Sequence, residues 1–445
     1  MKRFLIFFVA FLCLASTAWS GNPTPRKMLE DQNKQFTREV IKITDNVHMV
    51  LGFDGSNCAM IEGKDGVIIV DTLRATKSAE AAMAEFRKIT NKPVRAIIYT
   101  HSHPDHIGGA KIFAGKDNPE IYARANFSPA FLTKKSPVVK ALRARGIRQF
   151  GRKLPKEDII NRGVAPGITE TRGKGKGFLR PTQTFKGKSL TINEAGITLE
   201  LYAAPGETDD QLFVWYPEKK VLFCGDNFYK AFPNLYAIRG TRYRDVLQWA
   251  NSLDHMSTFN AVYLVAGHTR PEFGALYIQK LLTTYRDAIR TVYHQTIAGI
   301  NKGLTPDELA HTVKLPPEMA NLHHLTEFYG MVPWAVRSIF TGYLGWFDGN
   351  PTNLHPLSPK EKARKLAALV GGEDRLFEGL QKVIADEDWQ WACHLADEVM
   401  ALGGSHAAEA RKIKVKALRA LGENQYNAPS RNYYLSSAKE LASGK

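Results

Sequence analysis

The sequence has few cysteines, few acidic residues relative to basic ones, and no long apolar run after its N-terminus. Four cysteines in 445 residues are too few and too widely spread to form the disulfide framework of a small exported domain. Nucleic-acid-binding motifs are lacking, so the basic excess is not explained by a DNA- or RNA-binding fold. The composition is otherwise ordinary, and 44% apolar residues provide a sizeable core for two or three domains.

The N-terminus has the pattern of a secretory signal. Lys2 and Arg3 precede an apolar stretch at residues 4–14, and a plausible cleavage site follows at residues 18–20. The apolar stretch is too short to span a bilayer comfortably. We therefore expect residues 1–20 to be removed, leaving a periplasmic or secreted protein without a transmembrane segment.

Most of the net charge of +16 lies in one block. Residues 134–188 contain 16 Lys or Arg and three acidic residues, which gives +13. Such a block attracts anions, so its candidate partners are an anionic substrate or a membrane surface. A solvated loop is the alternative that the composition leaves open.

The strongest motif is the stretch from residue 100 to residue 109, which follows an apolar run at residues 94–99. It places His101, His103, Asp105 and His106 within six positions, before two glycines. Imidazole nitrogens and carboxylate oxygens are ligands that suit zinc. Four such groups are too many for one catalytic zinc ion, so the motif predicts two adjacent metal ions.

Three further polar groups follow short apolar runs that we expect to be strands. Glu207 lies in the turn at residues 204–208, Asp226 follows the run at residues 221–224, and His268 follows the run at residues 261–265. Before residue 273 the apolar runs alternate with helical patterns, which predicts an α/β fold with ligands at strand ends. Residues 111–185 depart from this alternation, and helical patterns dominate after residue 273.

These motifs together resemble the metallo-β-lactamase superfamily, whose fold is a four-layer αβ/βα sandwich with a two-metal cleft. Most members have His where this chain has Glu207, and the zinc-dependent alkylsulfatases have a carboxylate there. Residues 234–240 are similar to the sulfate-binding segment of that branch, and residues 343–351 to the start of its helical dimerisation domain. The resemblance implies a catalytic domain at 21–280 with a basic insertion at 134–188, an all-α dimerisation domain at 281–430, and a tail at 431–445.

The resemblance also implies the roles of individual residues. Two Zn²⁺ ions, or other divalent ions, are expected as cofactors, with Asp105 and Asp226 as the catalytic carboxylates. Arg239, Asn234 and Tyr236 are expected to bind the sulfate of an alkyl sulfate. The expected metal ligands are His101, His103, Asp105, His106, Glu207, Asp226 and His268.

Two departures from the branch concern proton transfer. The family's histidine before the Asn-Leu-Tyr segment is Pro233 here, and a second family histidine is missing close to Trp334. We expect a homodimeric hydrolase that cleaves sulfate esters of aliphatic alcohols with metal-activated water. The alternatives are a hydrolase of the same fold acting on a phosphoester, lactone or β-lactam, and a non-catalytic, metal-stabilised dimer that binds amphiphilic anions.

Overall fold

The computed structural model describes residues 23–129, 137–170, 172–174 and 176–444. The predicted signal at 1–20 and residues 134–136, 171 and 175 of the predicted insertion lie outside the described residues. Within the described part of the chain, no helix combines the length and apolarity needed to cross a membrane.

The first sheet has seven strands in chain order. Its first four strands pair antiparallel, and the pairs from the fourth to the seventh strand are parallel. The strands are β1 Glu39–Lys42, β2 Val47–Leu51, β3 Cys58–Glu62, β4 Val67–Val70, β5 Val94–Ile98, β6 Glu120–Arg124 and β7 Gln183–Phe185.

The second sheet has six strands, whose order from one edge is the reverse of their order in the chain. Its pairs are antiparallel except for one parallel pair between the fourth and fifth strands. The strands are β8 Ser189–Glu194, β9 Ile197–Ala203, β10 Leu212–Tyr216, β11 Val221–Gly225, β12 Tyr263–Ala266 and β13 Glu272–Phe273.

Helices cover the sheets and then form the C-terminal part. Those before residue 274 are α1 Pro25–Gln32, α2 Thr76–Ile89, α3 Pro104–Ile107, α4 Ala110–Ala114, α5 Val139–Gln149 and α6 Val246–Ser257. The later ones are α7 Ala275–Asn301, α8 Pro306–Thr312, α9 Pro317–Ala320, α10 Val332–Leu344, α11 Pro359–Val370, α12 Glu373–Ala385, α13 Trp389–Leu402, α14 Ala407–Glu423 and α15 Ala428–Ala442.

The central strands are apolar on both faces because each face packs against another layer. Ile98 of β5 lies in the core between the sheets, whereas its neighbour Ile97 packs with Phe86 of α2 on the outer side. In the second sheet, Val214 faces the other sheet and Phe213 faces α6 and α7. These layers confirm the predicted αβ/βα sandwich, followed by an all-α part.

The all-α part contains two cores. Helices α7 to α10 pack with α6 over the second sheet, and helices α11 to α15 enclose a separate core that includes Leu380, Ala396 and Val399. The predicted domain boundary at residue 280 falls inside α7, whose Ile278 and Leu282 belong to the core over the second sheet. The exact division between the domains stays a prediction.

Residues 111–185 contain more regular structure than their composition indicated. Strands β6 and β7 extend the first sheet, and α5 lies between them in the chain. Strand β6 has charged residues at both ends, β7 begins with two exposed polar residues, and α5 buries only Gly146 and Gln149, so none of the three has the periodicity that identifies an element from sequence.

Candidate metal centre

The candidate ligands come from loops at the carboxyl ends of neighbouring strands, where α/β folds place their sites. The loop after β5 carries the His-rich motif, and the loops after β9, β11 and β12 carry Glu207, Asp226 and His268 respectively. Asn57 joins the two sheets at this edge, because its side-chain amide donates to the carbonyl oxygens of Ala266 and Thr269 at 2.9 and 2.8 Å.

Glycines let the loops approach one another closely. A Cβ on Gly108 would lie 2.2 Å from the carbonyl oxygen of Arg74, and one on Gly109 would lie 2.3 Å from that of Thr72. A Cβ on Gly267 would lie 2.3 Å from Oδ1 of Asp226. Any larger residue at these positions would push the ligand loops apart.

Asp226 is the centre of the cluster. Its Oδ2 lies 3.5 Å from Nε2 of His101, 3.4 Å from Nε2 of His106 and 3.2 Å from Nε2 of His268. One carboxylate oxygen is thus surrounded by three imidazole nitrogens, which come from both of the predicted metal sites.

The remaining candidate ligands lie on two sides of Asp226. Nδ1 of His103 is 3.0 Å from Nε2 of His101 and 4.0 Å from Oε1 of Glu207. On the other side, Oδ2 of Asp105 is 4.0 Å from Nε2 of His268. The structure therefore brings all seven predicted ligands together, and Glu207 faces the histidine loop.

The donor atoms fall into three possible groups, each able to hold one ion. One group combines Asp105, His106 and His268, which matches one of the two predicted sites. The other predicted site appears as two groups that share Asp226, one with His103 and Glu207 and one with His101 and His106.

Several polar atoms of the cluster fit a metal centre because they have no other partner. Nε2 of His106, Oδ1 of Asp226 and Nδ1 of His268 are buried without a hydrogen bond in the described structure. Burial without a partner is unfavourable for such atoms. Nitrogen and carboxylate oxygen in this number suit divalent zinc, manganese or iron.

The protonation of the histidines differs within the cluster. Burial lowers the pKa of His103 to about 3 and that of His101 well below its usual value, so both are neutral and ready to bind a cation. Burial would also lower the pKa of His106, but the carboxylates of Asp226 and Asp71 raise it well above its usual value. A metal ion must therefore displace a proton from His106.

Asp71 orients the His-rich loop from beneath. Its Oδ2 lies 2.7 Å from Nδ1 of His106, and its two oxygens accept hydrogen bonds from the backbone N–H and the hydroxyl of Thr100, both at 2.8 Å. Its backbone is in the left-handed region at φ 58°. The carboxylate holds Nδ1 of His106 and so directs Nε2 toward Asp226, the usual outer-shell arrangement for a ligating histidine.

Arg244 is a component of the centre that sequence reasoning missed. It is buried, and its Nη2 lies 3.1 Å from Oε1 of Glu207, while its Nη1 donates to the carbonyl oxygen of Asn234. Burial raises the pKa of Glu207, and the charge of Arg244 acts against that rise. Arg244 lies just before the N-terminus of α6, where a positive charge is unfavourable because of the helix dipole. This position was the one signal in the sequence that another interaction holds Arg244 there.

The predicted sulfate-binding residues occupy the segment between β11 and α6. The guanidinium of Arg239 lies 5.8 Å from the ring centre of Phe150, and its charge contributes to the low pKa of His103. Nη1 of Arg239 and Nδ2 of Asn234 are both buried without an acceptor. Tyr236 is half-buried in the same segment, and no hydrogen bond within the described residues joins it to the centre.

The helical part reaches the centre through a close backbone contact. A Cβ on Gly330 would lie 2.0 Å from the carbonyl oxygen of Pro233, so this approach requires glycine. Tyr329, the preceding residue, is buried with its ring centre 5.8 Å from that of Tyr229. The hydroxyl of Tyr229 in turn donates to Oε2 of Glu207 at 3.3 Å. Lys230 points elsewhere and forms an ion pair with Glu272 at 2.7 Å.

Comparison with known proteins agrees with this arrangement. Residues 51–268 match the metallo-beta-lactamase superfamily, and residues 305–444 match the alkyl sulfatase dimerisation family. A linear primary-alkylsulfatase of Pseudomonas sp. is 39% identical over 391 residues, which cover 86% of this chain and 73% of that protein. The chain belongs to the alkylsulfatase family. The predicted class of enzyme, a metal-dependent hydrolase, is thereby confirmed at the level of the family.

Other relatives match over most of this chain. The alkyl/aryl-sulfatase BDS1 of Saccharomyces cerevisiae is 31% identical over 91% of this chain and 64% of its own length. The solved structure of the stereoselective inverting sec-alkylsulfatase Pisa1 from Pseudomonas sp. superimposes with a TM-score of 0.84 at 27% identity, over 95% of this chain and 68% of that one. This alkylsulfatase-family chain therefore spans about two thirds of the length of these relatives.

Proposed function

We propose that this chain hydrolyses sulfate esters of aliphatic alcohols at a centre of two divalent metal ions, zinc in the first instance. The observation that carries the proposal is the convergence of six donor side chains around Asp226, beside two buried N–H donors without acceptors. His101, His103 and Glu207 would hold one ion and Asp105, His106 and His268 the other, with Asp226 shared between them.

The metal ions would lower the pKa of bound water and so supply hydroxide at neutral pH. The residues of the chain have other tasks. Asp71 fixes the orientation of His106, and Arg244 fixes Glu207. Asp226 places the histidines of both sides around one oxygen.

Sulfate recognition falls to Arg239 and Asn234. The planar guanidinium of Arg239 can donate two parallel hydrogen bonds to a tetrahedral oxyanion. Nδ2 of Asn234 offers another buried donor in the same segment. An anion with several oxygens that binds between these two donors and the metal centre would accept a hydrogen bond from each of them.

The nature of the leaving group explains why the reaction does not need a proton donor at the position of Pro233. If the S–O bond broke, an alkoxide would depart and would need a proton, which a proline cannot supply. If the C–O bond breaks, sulfate departs as a stable anion without protonation, and the hydroxide oxygen remains in the alcohol. We therefore propose C–O cleavage, with inversion at the carbon that is attacked.

The proposal is tested by assaying the zinc-loaded protein with dodecyl sulfate in ¹⁸O-labelled water. Release of sulfate with the label in dodecanol is the expected result, and label in the sulfate would overturn C–O cleavage. A panel of phosphoester, lactone and β-lactam substrates is assayed in parallel. Turnover of one of these but not of dodecyl sulfate would support the other hydrolase, and no turnover at all with metal retained would support a binding protein.

Arg239→Gln is expected to lower kcat/KM for dodecyl sulfate by about 10- to 100-fold, because a hydrogen bond to a charged group contributes about 1.5–3 kcal/mol. The matched control is Arg242→Gln, which removes the same charge from an exposed position in the same segment. Equal losses in the two variants would show that Arg239 acts only through the overall field.

We also propose that the protein is exported and acts as a homodimer. Export rests on the signal pattern at residues 1–20. Dimerisation rests on exposed apolar side chains in and after α10, within the matched dimerisation region: Tyr343, Leu344, Trp346, Leu354 and Leu357. Such a patch on a soluble protein marks an interaction surface.

The dimer is expected to show the mass of two chains in sedimentation velocity at micromolar concentration. Trp346→Ser is expected to shift that mass toward one chain, since Trp346 is 73% exposed and its loss removes a large apolar contact. Leu276→Ser is the control, because Leu276 is even more exposed but lies on α7, outside the matched dimerisation region. A single-chain mass for the unaltered protein would refute the dimer.

A further inference from the structure

A second group of basic side chains surrounds the metal centre, in addition to Arg239. Its members are Arg74, Arg152, Arg162 and Lys174, and three of them come from the basic insertion. Within the described residues, none of the four forms an ion pair with a carboxylate. Nε of Arg74 and Nε of Arg162 are buried without an acceptor. We call these four residues the basic cluster.

The basic cluster lies on the Asp105 side of the centre. A Cβ on Gly55 would lie 3.7 Å from Oδ2 of Asp105 and 3.9 Å from Nη1 of Arg162, so both groups lie next to the same point. Arg162 is held there, since its Nη2 donates to the carbonyl oxygen of Gly167 at 3.0 Å and to Oγ1 of Thr169 at 3.2 Å.

Arg152 connects the basic cluster with the predicted sulfate-binding residue. The guanidinium of Arg152 lies 5.1 Å from the ring centre of Phe150, and that of Arg239 lies 5.8 Å from the same ring. The ring of Phe150 therefore lies close to one guanidinium of the basic cluster and to the guanidinium of Arg239.

The segment that carries Lys174 is docked against the ligand loop. The backbone N–H of Lys111 donates to the carbonyl oxygen of Gly177 at 2.7 Å. Gly173 and Gly177 permit the approach, because a Cβ on the former would lie 1.6 Å from Oγ1 of Thr76 and one on the latter 2.5 Å from the carbonyl oxygen of Gly108. The segment of Lys174 is thereby held against the loop that follows the His-rich motif, on the side of Arg74.

The acidic groups nearby do not balance these cations. Asp54 uses its carboxylate for the backbone N–H groups of Gly55, Arg74 and Ala75. Asp105 is a candidate metal ligand. Desolvation and then the neighbouring arginines lower the pKa of Arg152 to about 10 and that of Lys174 to about 8. Like charges held together in this way favour a bound anion.

We infer that the basic cluster is a second anion-binding site, and that the substrate is a sulfate ester with a second acidic group on the same short carbon chain. The sulfate lies at Arg239, and the second group, a carboxylate, a phosphate or another sulfate, lies among Arg152, Arg162 and Lys174. This substrate class rests on the proposed sulfate-ester hydrolysis, whereas the anion site itself does not.

Alkane disulfonates test the site without turnover, because their C–S bonds are not hydrolysed. Titration calorimetry of the zinc-loaded protein compares the α,ω-disulfonates from ethane to hexane with the monosulfonates of the same length. At least one disulfonate is expected to bind ten times more tightly than its monosulfonate. Equal affinity for the two series at every length would overturn the inference.

Arg152→Gln and Lys174→Gln are expected to weaken disulfonate binding by about three- to fivefold each and to leave monosulfonate binding unchanged, as fits single exposed charges. Neither side chain forms a hydrogen bond or an ion pair within the described residues, so neither change should affect folding. Lys186→Gln is the matched control in the same insertion. If Lys186→Gln weakens disulfonate binding as much as the other two substitutions do, the effect comes from net charge alone and the proposed site is wrong.

The two proposals fail in different ways. Turnover of monosulfates and disulfates at equal kcat/KM, with equal binding of the two sulfonate series, would refute the second site and leave the sulfatase intact. Tight disulfonate binding without turnover of any sulfate ester would refute the sulfatase and leave the anion site standing.

Discussion

Asp226→Asn is expected to lower the metal content of the purified protein from two ions to one or fewer. It is also expected to slow dodecyl sulfate hydrolysis more than a change to an outer-shell residue does, for which a loss of about 10- to 100-fold is typical. The reason is geometric, since Oδ2 of Asp226 lies within 3.5 Å of three imidazole nitrogens and no other carboxylate contacts both sides. Elemental analysis measures the metal content and also identifies the metal.

Asp209→Asn is the matched control, because it removes the same charge from an exposed position in the loop that carries Glu207. Its metal content and activity are expected to remain those of the unaltered protein. Thermal unfolding of both variants in the metal-free state shows that each is folded. A fully loaded, active Asp226→Asn variant would remove Asp226 from its proposed place between the ions.

The strands that position the centre were predictable because they are buried on both faces. Strands β4, β10 and β11 are continuous apolar runs bounded by turn residues, and β5 is apolar except for the exposed Arg95, which is the pattern of a strand between two layers. Strands β6 and β7 were missed. Strand β6 pairs with β5, and β7 pairs with β6 at the edge of the first sheet, where polar residues at the strand ends are tolerated.

The ligands were predictable for a related reason. Each lies directly after an apolar run, so the chain order alone places His101, Asp226 and His268 at strand ends. Which strand ends meet is a property of the sheet order, and the resemblance to a known family supplied it.

Contacts between residues that are far apart in the chain gave no such signal in the sequence. Arg244 reaches Glu207 across 37 positions of the chain, and Gly330 packs on Pro233 from the helical part. Neither contact follows a periodicity or a local spacing. The basic insertion was likewise visible only as net charge, while the structure separates its paired members, such as Arg148 with Glu440, from the unpaired ones beside the centre.

Glu207 and Arg244 together explain how a carboxylate can replace a histidine here. The carboxylate removes one positive charge from the centre, and the buried guanidinium 3.1 Å away returns it. Without metal, the pair neutralises itself in a site closed to water. With metal, Glu207 is shared between Arg244 and the ion, so the arginine moderates the strength with which Glu207 binds the metal.

Arg244→Met is expected to destabilise the metal-free protein by about 3–5 kcal/mol, because it leaves Glu207 as a buried charge without its partner. In the zinc-loaded protein the loss should be smaller, since the metal ion then neutralises Glu207. By linkage, zinc binds the variant more tightly, by about tenfold for each 1.4 kcal/mol of difference between the two losses. Urea denaturation of both forms and competition with a chelator measure the two quantities.

The double variant Arg244→Met with Glu207→Gln removes both charges and is expected to regain most of the lost stability in the metal-free state. Arg337→Met is the control, because Arg337 pairs with Asp307 at the surface, where an ion pair contributes less than about 1 kcal/mol. If Arg244→Met destabilises the metal-free and zinc-loaded proteins equally, and zinc affinity does not change, then Arg244 serves packing alone. In that case the charge balance between Glu207 and Arg244 does not set the properties of the metal centre.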